Sequence, residues 1–329
     1  VTRHLRIPAI IALIALFLPA TSAAQEKIRT AYGAVSVQSG LLWIAKQKNL
    51  FAKYNLLPEI VYIPGGSINI QALISGNLDV TQLTAAAGVA ANLEGADIVY
   101  FACFIDKLTY QLVTRPEIKS AAEVKGKKLG ISRFGSAADF GLRVMLKRLG
   151  IDPARDVTIL QIGEEPARTA AVQAGNIDGT VMNAPFGTQA EKLRLNIVAD
   201  SVKMGIPFFG TGLLASRRFL DREETKVLNL LRAYLEAIKV LKTERSTSMQ
   251  ALAQFTRVSD MKIIEEAYDA FKDQLPNVPY PSLPAMQAVV AQMAETSPKA
   301  RQADARNFVS DRYLRQLENE GFVKKLWQK

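Results

Sequence analysis

From residue 27 to about residue 215, strand-like and helix-like segments alternate, and this rhythm restricts the chain to an open, largely parallel α/β sheet with helices on its faces. Residues 27–32 and 59–63 have strand character, and Pro64-Gly65-Gly66 closes the second of them. Between them, Leu41, Leu42, Ile44 and Ala45 follow Ser39 in a helical run. A helix through Ile70, Leu73 and Ile74 stops at Gly76, where a left-handed cap suits glycine.

The same pattern returns 99 residues later. Gln71-Ala72-Leu73-Ile74-Ser75-Gly76-Asn77-Leu78-Asp79-Val80 is echoed by Ala170-Ala171-Val172-Gln173-Ala174-Gly175-Asn176-Ile177-Asp178-Gly179. Each copy is a helix end, a Gly-Asn turn and an aspartate entering a short strand. Gly-Asn turns are common, but two copies in one helix-to-strand context predict two similar lobes. Further strands are expected at 128–131, 158–162 and 196–199. Ser136 and Asp139 have capping-box spacing before Leu142, Met145, Leu146 and Leu149, and Gly150 ends that helix. Beyond 209–212 the pattern changes to long helices. Asp221 and Glu224 are expected to cap a helix with the apolar stripe Val227, Leu231, Tyr234, Ile238 and Leu241. After a break at 276–284, the amphipathic tail is expected to pack back on the first lobe.

Several segments resemble a known family in the right order. Lys48-Asn49-Leu50-Phe51-Ala52-Lys53-Tyr54-Asn55-Leu56 is similar to the GLFAKYGL signature of the nitrate, sulfonate, taurine and thiamine-precursor substrate-binding proteins of ABC transporters. Ser75-Gly76-Asn77-Leu78-Asp79-Val80 resembles the family's SGxLDV turn, and Val124-Lys125-Gly126-Lys127-Lys128-Leu129-Gly130 its DLKGKKVG segment. The resemblance runs from about residue 27 to 220. Asn49 and Asn55 stand where the family has glycine, a tolerable change because asparagine also visits the left-handed region. Glu123 stands where it often has aspartate.

The resemblance implies a two-lobed type II periplasmic-binding-protein fold of the α/β class, with two crossing segments and a helical C-terminal part. The crossings are expected near 110–114 and 209–212. The expected division is 25–112 with 213–329 for the first lobe and 113–212 for the second. Ligand would bind between the lobes at the carboxyl ends of strands.

Residues 1–24 have the form of a cleaved signal peptide: Arg3 and Arg6, a 12-residue apolar run at 7–18 ended by Pro19, then Ser22-Ala23-Ala24. A membrane span needs about 20 apolar residues, so an anchor is the poorer reading. Cys103 is the single cysteine, which excludes an intrachain disulfide and leaves no cysteine near the cleavage site for a lipid anchor. With the resemblance, this implies a free protein of the periplasm, not a lipoprotein. His4, the only histidine, lies in the leader, so the rest of the chain can form neither a Ser-His-Asp nor a Cys-His triad. The net charge of +10 is spread among acids rather than clustered, giving a solvated basic surface and no expectation of nucleic-acid binding.

Seven residues are candidates for ligand binding. Gln38 and Ser39 sit before a helix, where backbone amides favour an acceptor; Ser39 is either a ligand contact, a cap or both. Ser132, Arg133 and Ser136 surround Phe134 and Gly135 at another helix start. There Arg133 offers a charged fork suited to a carboxylate or sulfonate, or else points to solvent or an ion pair. Thr84 and Asn183 follow the two repeat turns, with Pro185 and Phe186 adding shape; Thr84 is alternatively a helix cap. Cys103 is expected to be a buried core residue.

The family resemblance implies a receptor that traps a small anionic organic solute and hands it to an ABC permease. It would act as a monomer, with no catalytic residue, metal or cofactor. The alternatives are an enzyme like the thiamine-pyrimidine synthases, which use a histidine that the mature chain would lack, and a partner of a membrane sensor. The secreted form is expected to begin near Gln25. Intact mass of the secreted protein checks this, and a retained N-terminus or a lipid adduct would contradict it.

Overall fold

The computed structural model describes residues 25–183, 186–187, 189–190, 192–295 and 297–328. The expected signal peptide therefore lies outside the described residues, as does Pro185. The first half runs β1 (Glu26–Tyr32), α1 (Leu41–Gln47), α2 (Leu50–Lys53), β2 (Leu56–Tyr62), α3 (Gly66–Ile74), β3 (Val80–Leu83), α4 (Ala85–Leu93) and β4 (Ile98–Lys107). The second half runs β5 (Gln111–Thr114), β6 (Lys128–Ile131), α5 (Ala137–Arg148), β7 (Thr158–Gln161), α6 (Glu165–Gln173), β8 (Gly179–Met182) and β9 (Asn196–Asp200). The chain then returns through β10 (Pro207–Ser216). Two five-stranded sheets result, ordered β2-β1-β3-β10-β4 and β7-β6-β8-β5-β9.

The 99-residue echo is a structural repeat that extends well past the ten matching residues. α3 and α6, and β3 and β8, begin and end 99 residues apart. The parallel registers shift by the same number: Arg29 faces Glu59 as Lys128 faces Thr158. At each turn a glycine takes a left-handed conformation, Gly76 at φ 76° and Gly175 at φ 75°, where a side chain would be strained. The aspartate that follows clamps the start of the neighbouring strand. Asp79 donates its N–H to Arg29 O (2.9 Å), and its carboxylate accepts the Arg29 N–H (2.8 Å). Asp178 does the same with Lys128, at 2.7 and 2.8 Å. A guanidinium completes each clamp, Arg29 on Asp79 and Arg115 on Asp178.

The chain passes between the sheets at 108–110 and 201–206, and the two passages are bonded together. Leu108 N–H donates to Ile206 O (3.0 Å), while Ser201 donates its hydroxyl to Leu108 O (2.9 Å) and its N–H to Tyr110 O (2.9 Å). The expected second crossing at 209–212 is corrected by this arrangement. Those residues lie within β10, where Thr211 faces Ile105 and Gly212 faces Cys103 across register shifts. The Gly-Thr-Gly run is a bulged strand, and a Cβ on Gly212 would collide with the carbonyl oxygen of Ala102.

The C-terminal part comprises α7 (Arg217–Arg222), α8 (Glu224–Thr243), α9 (Arg245–Thr256), α10 (Met261–Gln274), α11 (Leu283–Ala294), α12 (Pro298–Arg301), α13 (Arg312–Asn319) and α14 (Phe322–Trp327). Val227, Leu231, Tyr234, Ile238 and Leu241 of α8 are fully buried, and α8 packs on α1, α2 and β2. At roughly 1.5–3 kcal/mol per large apolar side chain, this stripe is a principal attachment of the helical part to the first sheet. α11 packs on β10 and α4, and α13 on β4. The segment at the 276–284 break runs beside β4, with Cys103 N–H donating to Pro279 O (2.8 Å). Cys103 itself is buried, and burial pushes its thiol up to about 12, so it is a core residue without reactivity. The expected capping pair at α8 is also corrected. Asp221 lies inside α7, Glu223 precedes α8, and Asp221 and Glu224 both bind Arg312.

If the two clamps are equivalent, Asp79→Ala and Asp178→Ala will each cost about 1.5–3 kcal/mol, the worth of hydrogen bonds to a charged group. With no shared partner, the double variant should show an additive loss in urea unfolding. A negligible loss at either site would contradict the equivalence.

Candidate functional site

The carboxyl ends of β1, β3, β6 and β8 face one another across a cavity of about 810 Å³. That size is ordinary for a small-molecule site. Six of the seven residues expected from the sequence line it: Gln38, Ser39, Thr84, Ser132, Ser136 and Asn183. Phe186 lines it as well.

Gln38 belongs to a short 3-10 turn, Val37–Ser39, that precedes α1. Its carbonyl accepts from Gln82 Nε2 (3.0 Å) and its side-chain oxygen from Thr211 Oγ1 (3.3 Å). Its amide donates to Thr109 Oγ1, which in turn donates to Asn183 Oδ1 (2.8 Å). Thr109 stands on the first passage between the sheets. Gln38 of one half and Asn183 of the other are therefore strapped together through the chain that joins them. Ser39 is buried but caps nothing, because Gly40 occupies the position before α1; of its two readings the cap is removed. Thr84 does precede α4, yet its side chain makes no capping bond.

At the other side, Ser132 donates to Ser136 Oγ (2.8 Å), and Ser136 accepts the N–H of Asp139 (3.3 Å) as the cap of α5. Asp139 completes the cap by accepting Gly135 N–H (2.9 Å). Arg133 is not part of the cavity lining. Its stem crosses to the opposite half, and a Cβ on Gly65 would lie 2.9 Å from its Cδ. Arg133 thus rests against the start of α3, at the edge of the cavity.

The start of α6 supplies residues that the sequence reading did not single out. Glu164, Glu165 and Arg168 all line the cavity. Arg168 is 1% exposed and gives its N–H groups to Gly163 O, Thr180 Oγ1 and Val181 O at 2.8–3.0 Å. Glu165 is 6% exposed; one oxygen accepts Asn183 N–H (2.9 Å) and lies 3.6 Å from Arg168 Nη2. Its other oxygen is buried with no hydrogen-bond partner, as is one oxygen of Glu164. Burial pushes the Glu165 carboxyl up to about 7, against the opposing pull of Arg168. Burial raises Glu164 too, opposed by Arg168 and Arg133.

The echo itself was the signal for these residues. Ninety-nine residues separate Asn69 from Arg168, and both are buried at the same place in their helices. Asn69 meets Thr81 (2.9 Å), and Arg168 meets Thr180 (3.0 Å). The same offset matches Gly65 and Gly66 with Glu164 and Glu165, so one helix start is bare and the other carries two carboxyls.

Aromatic rings form one wall. Tyr32 lies 5.2 Å from Tyr62 and 5.3 Å from Phe255, and Trp43 lies 5.7 Å from Phe255, centroid to centroid. Arg257, at φ 57° after α9, stands exposed at the rim. Among the described residues no cluster of three or more His, Cys, Asp or Glu could hold a metal ion.

The raised Glu165 carboxyl has a signed consequence. Between its ordinary 4.5 and about 7, the folded protein holds a proton that the unfolded chain has released. Its contribution to stability therefore falls as pH rises through that window and is flat above it. Relative to wild type, Glu165→Gln should gain up to ~3 kcal/mol from the bottom of the window to the top, at ~1.4 kcal/mol per pKa unit. Urea unfolding at several pH values checks this, and a constant difference would contradict it.

Comparisons with known proteins agree with this architecture. An ABC transporter periplasmic binding protein of Brachyspira hyodysenteriae is 29% identical over 215 residues, 61% of this chain and 61% of that relative's length. An aliphatic sulfonates-binding protein of Escherichia coli is 24% identical over 247 residues, covering 73% of this chain and 75% of the relative. Among solved structures, the alkanesulfonate-binding protein SsuA from Xanthomonas axonopodis pv. citri, bound to MOPS, superposes with a TM-score of 0.72. It does so at 20% identity, over 88% of this chain and 99% of that one, a likeness of fold. Residues 22–256 match the NMT1-like family, and the chain belongs to that family.

Proposed function

We propose that this chain is the substrate-binding component of an ABC-type importer, a periplasmic receptor that closes over a small organic solute and catalyses nothing. The position of the cavity carries this reading. It is lined by residues of both repeated halves, between which the chain crosses in short, mutually bonded passages at 108–110 and 201–206. A rotation about those passages would open and close the cavity without disturbing either sheet. The lobes would then be 25–107 with 207–328, and 111–200, in place of the divisions expected at 112/113 and 212/213.

The names of the curated relatives support the transport reading, and a membrane permease would be the partner that recognises the closed form. The enzyme alternative has less support, because His4 is the only histidine of the chain and it is far in sequence from every residue of the cavity. The solute would carry a carboxylate or sulfonate reached by Arg133, whose stem already bridges the two halves at the cavity's edge.

Three measurements test this reading. Small-angle X-ray scattering should show the protein becoming more compact on binding its solute; a ligand that binds without compaction would overturn the receptor function. At a hundredfold excess over Kd, the same ligand should stabilise the protein by ~2.7 kcal/mol. Arg133→Ala should weaken an organic anion by roughly ten- to a hundredfold in calorimetric titration, since one charge-assisted bond is worth ~1.5–3 kcal/mol. Unchanged affinity would remove Arg133 from the site.

A further inference from the structure

The start of α6 carries a contradiction that a bound solute would resolve. A helix N-terminus ordinarily draws an anion to its free amides. Here the chain's own side chains already place charge there: Glu164 stands just before α6, without a capping bond from its side chain, and Glu165 opens the first turn. Asn183 N–H and Arg168 satisfy one oxygen of Glu165, and its second oxygen is buried and unpartnered in a residue that lines the cavity. Glu164 also has a buried oxygen without a partner. Two such acceptors side by side are costly, since an unpaired buried polar group forfeits about 1–3 kcal/mol. A sulfonate or carboxylate group placed against them would add a third acceptor and, with the glutamates ionised, a like charge. With both glutamates ionised, a donor from the solute removes the penalty.

We propose that the solute presents nitrogen-bound hydrogens, on or beside a flat unsaturated ring, to the free oxygens of Glu164 and Glu165. The ring component follows from the walls: Tyr32, Trp43, Tyr62 and Phe255 on one side and Phe186 contributed from the other half. Trp43 Nε1 is itself buried without a partner, which leaves a donor for an acceptor elsewhere on the ring. The raised Glu165 carboxyl fits the same picture, because a donor that arrives replaces the proton that burial now favours. The groups that act on or feel Glu165 include Glu164, Arg168, Asn183, Tyr110 and Tyr62, and of these only Arg168 brings a positive charge. Any anionic group of the solute lies at the cavity's edge, toward Arg133 and Arg257. This inference rests on the receptor reading and narrows its solute from an organic anion to a ring with donors at its buried end.

A set of para-substituted rings separates the possibilities, using the purified chain and calorimetry at pH 8. 4-Amidinobenzoate, benzoate and terephthalate share one carboxylate and differ at the far end, which is a donor, a hydrogen and a second anion. 4-Amidinobenzoate is expected to bind at least tenfold more tightly than benzoate and terephthalate, and benzamidine more tightly than benzoate. Glu165→Gln and Glu164→Gln, which keep size and one acceptor, should each shrink the amidine's advantage over benzoate about tenfold. Terephthalate equal to or tighter than 4-amidinobenzoate would overturn the proposal, as would no binding by either amidine or an advantage that survives both substitutions. Scattering on the same samples keeps the two readings apart. Compaction with terephthalate but not with the amidines would overturn the donor proposal and leave the receptor standing. Tight amidine binding without compaction would overturn the receptor reading.

Discussion

A single carboxylate, used twice, sets the geometry on which both halves depend. Parallel strands start with backbone groups that their neighbours do not reach, and a βαβ unit must return its second strand in register beside the first. Asp79 and Asp178 meet both needs by pairing their own N–H and carboxylate with one residue of the neighbouring strand. The left-handed glycine just before each of them turns the chain sharply enough to make the pairing possible. With β3 and β8 held in register, their carboxyl ends deliver Thr84 and Asn183 to one cavity.

The two halves then diverge where the repeat meets that cavity. The helix after β2 begins on Gly65 and Gly66, and the helix after β7 begins on Glu164 and Glu165. The matching helix starts thus present bare amides on one side, behind a Gly65 at φ 80°, and buried carboxyls on the other, behind an extended Glu164. The core position behind them diverges as well, from Asn69 to Arg168, and the guanidinium supplies the positive charge that a buried Glu165 requires. The strap from Gln38 through Thr109 to Asn183 joins the two sides at the first of the two passages between them. Burial, charge and connection therefore converge at the passage between the sheets.

Much of the fold was legible in the sequence because its signals are local. Glycines at 76, 150 and 175 stop helices for reasons of backbone conformation, and Ser136 with Asp139 caps α5 through bonds to residues at most four positions away. The misreadings came from residues whose roles are set by distant partners. Gly210-Thr211-Gly212 has the composition of a break, but pairing with β4 draws it into a bulged strand. Asp221 and Glu224 have the spacing of a cap, but Arg312, about ninety residues on, holds both.

The candidate site divides in the same way. The sequence alone determined that Gln38, Ser39, Thr84, Ser132, Ser136 and Asn183 belong at strand ends, because strand-to-helix loops in an open α/β sheet gather at one edge. It determined the two-fold repeat as well, since a constant offset of 99 residues is visible without coordinates. Only the tertiary structure decided that Arg133 spans to Gly65 at the edge rather than lining the interior. It alone also decided that Glu164 and Glu165 lie in the cavity with oxygens unpaired. In sequence these glutamates are unremarkable acids at a helix start, where charge normally meets water. Packing of α6 against β8 takes that water away, and desolvation is a property of the assembled surroundings rather than of any residue.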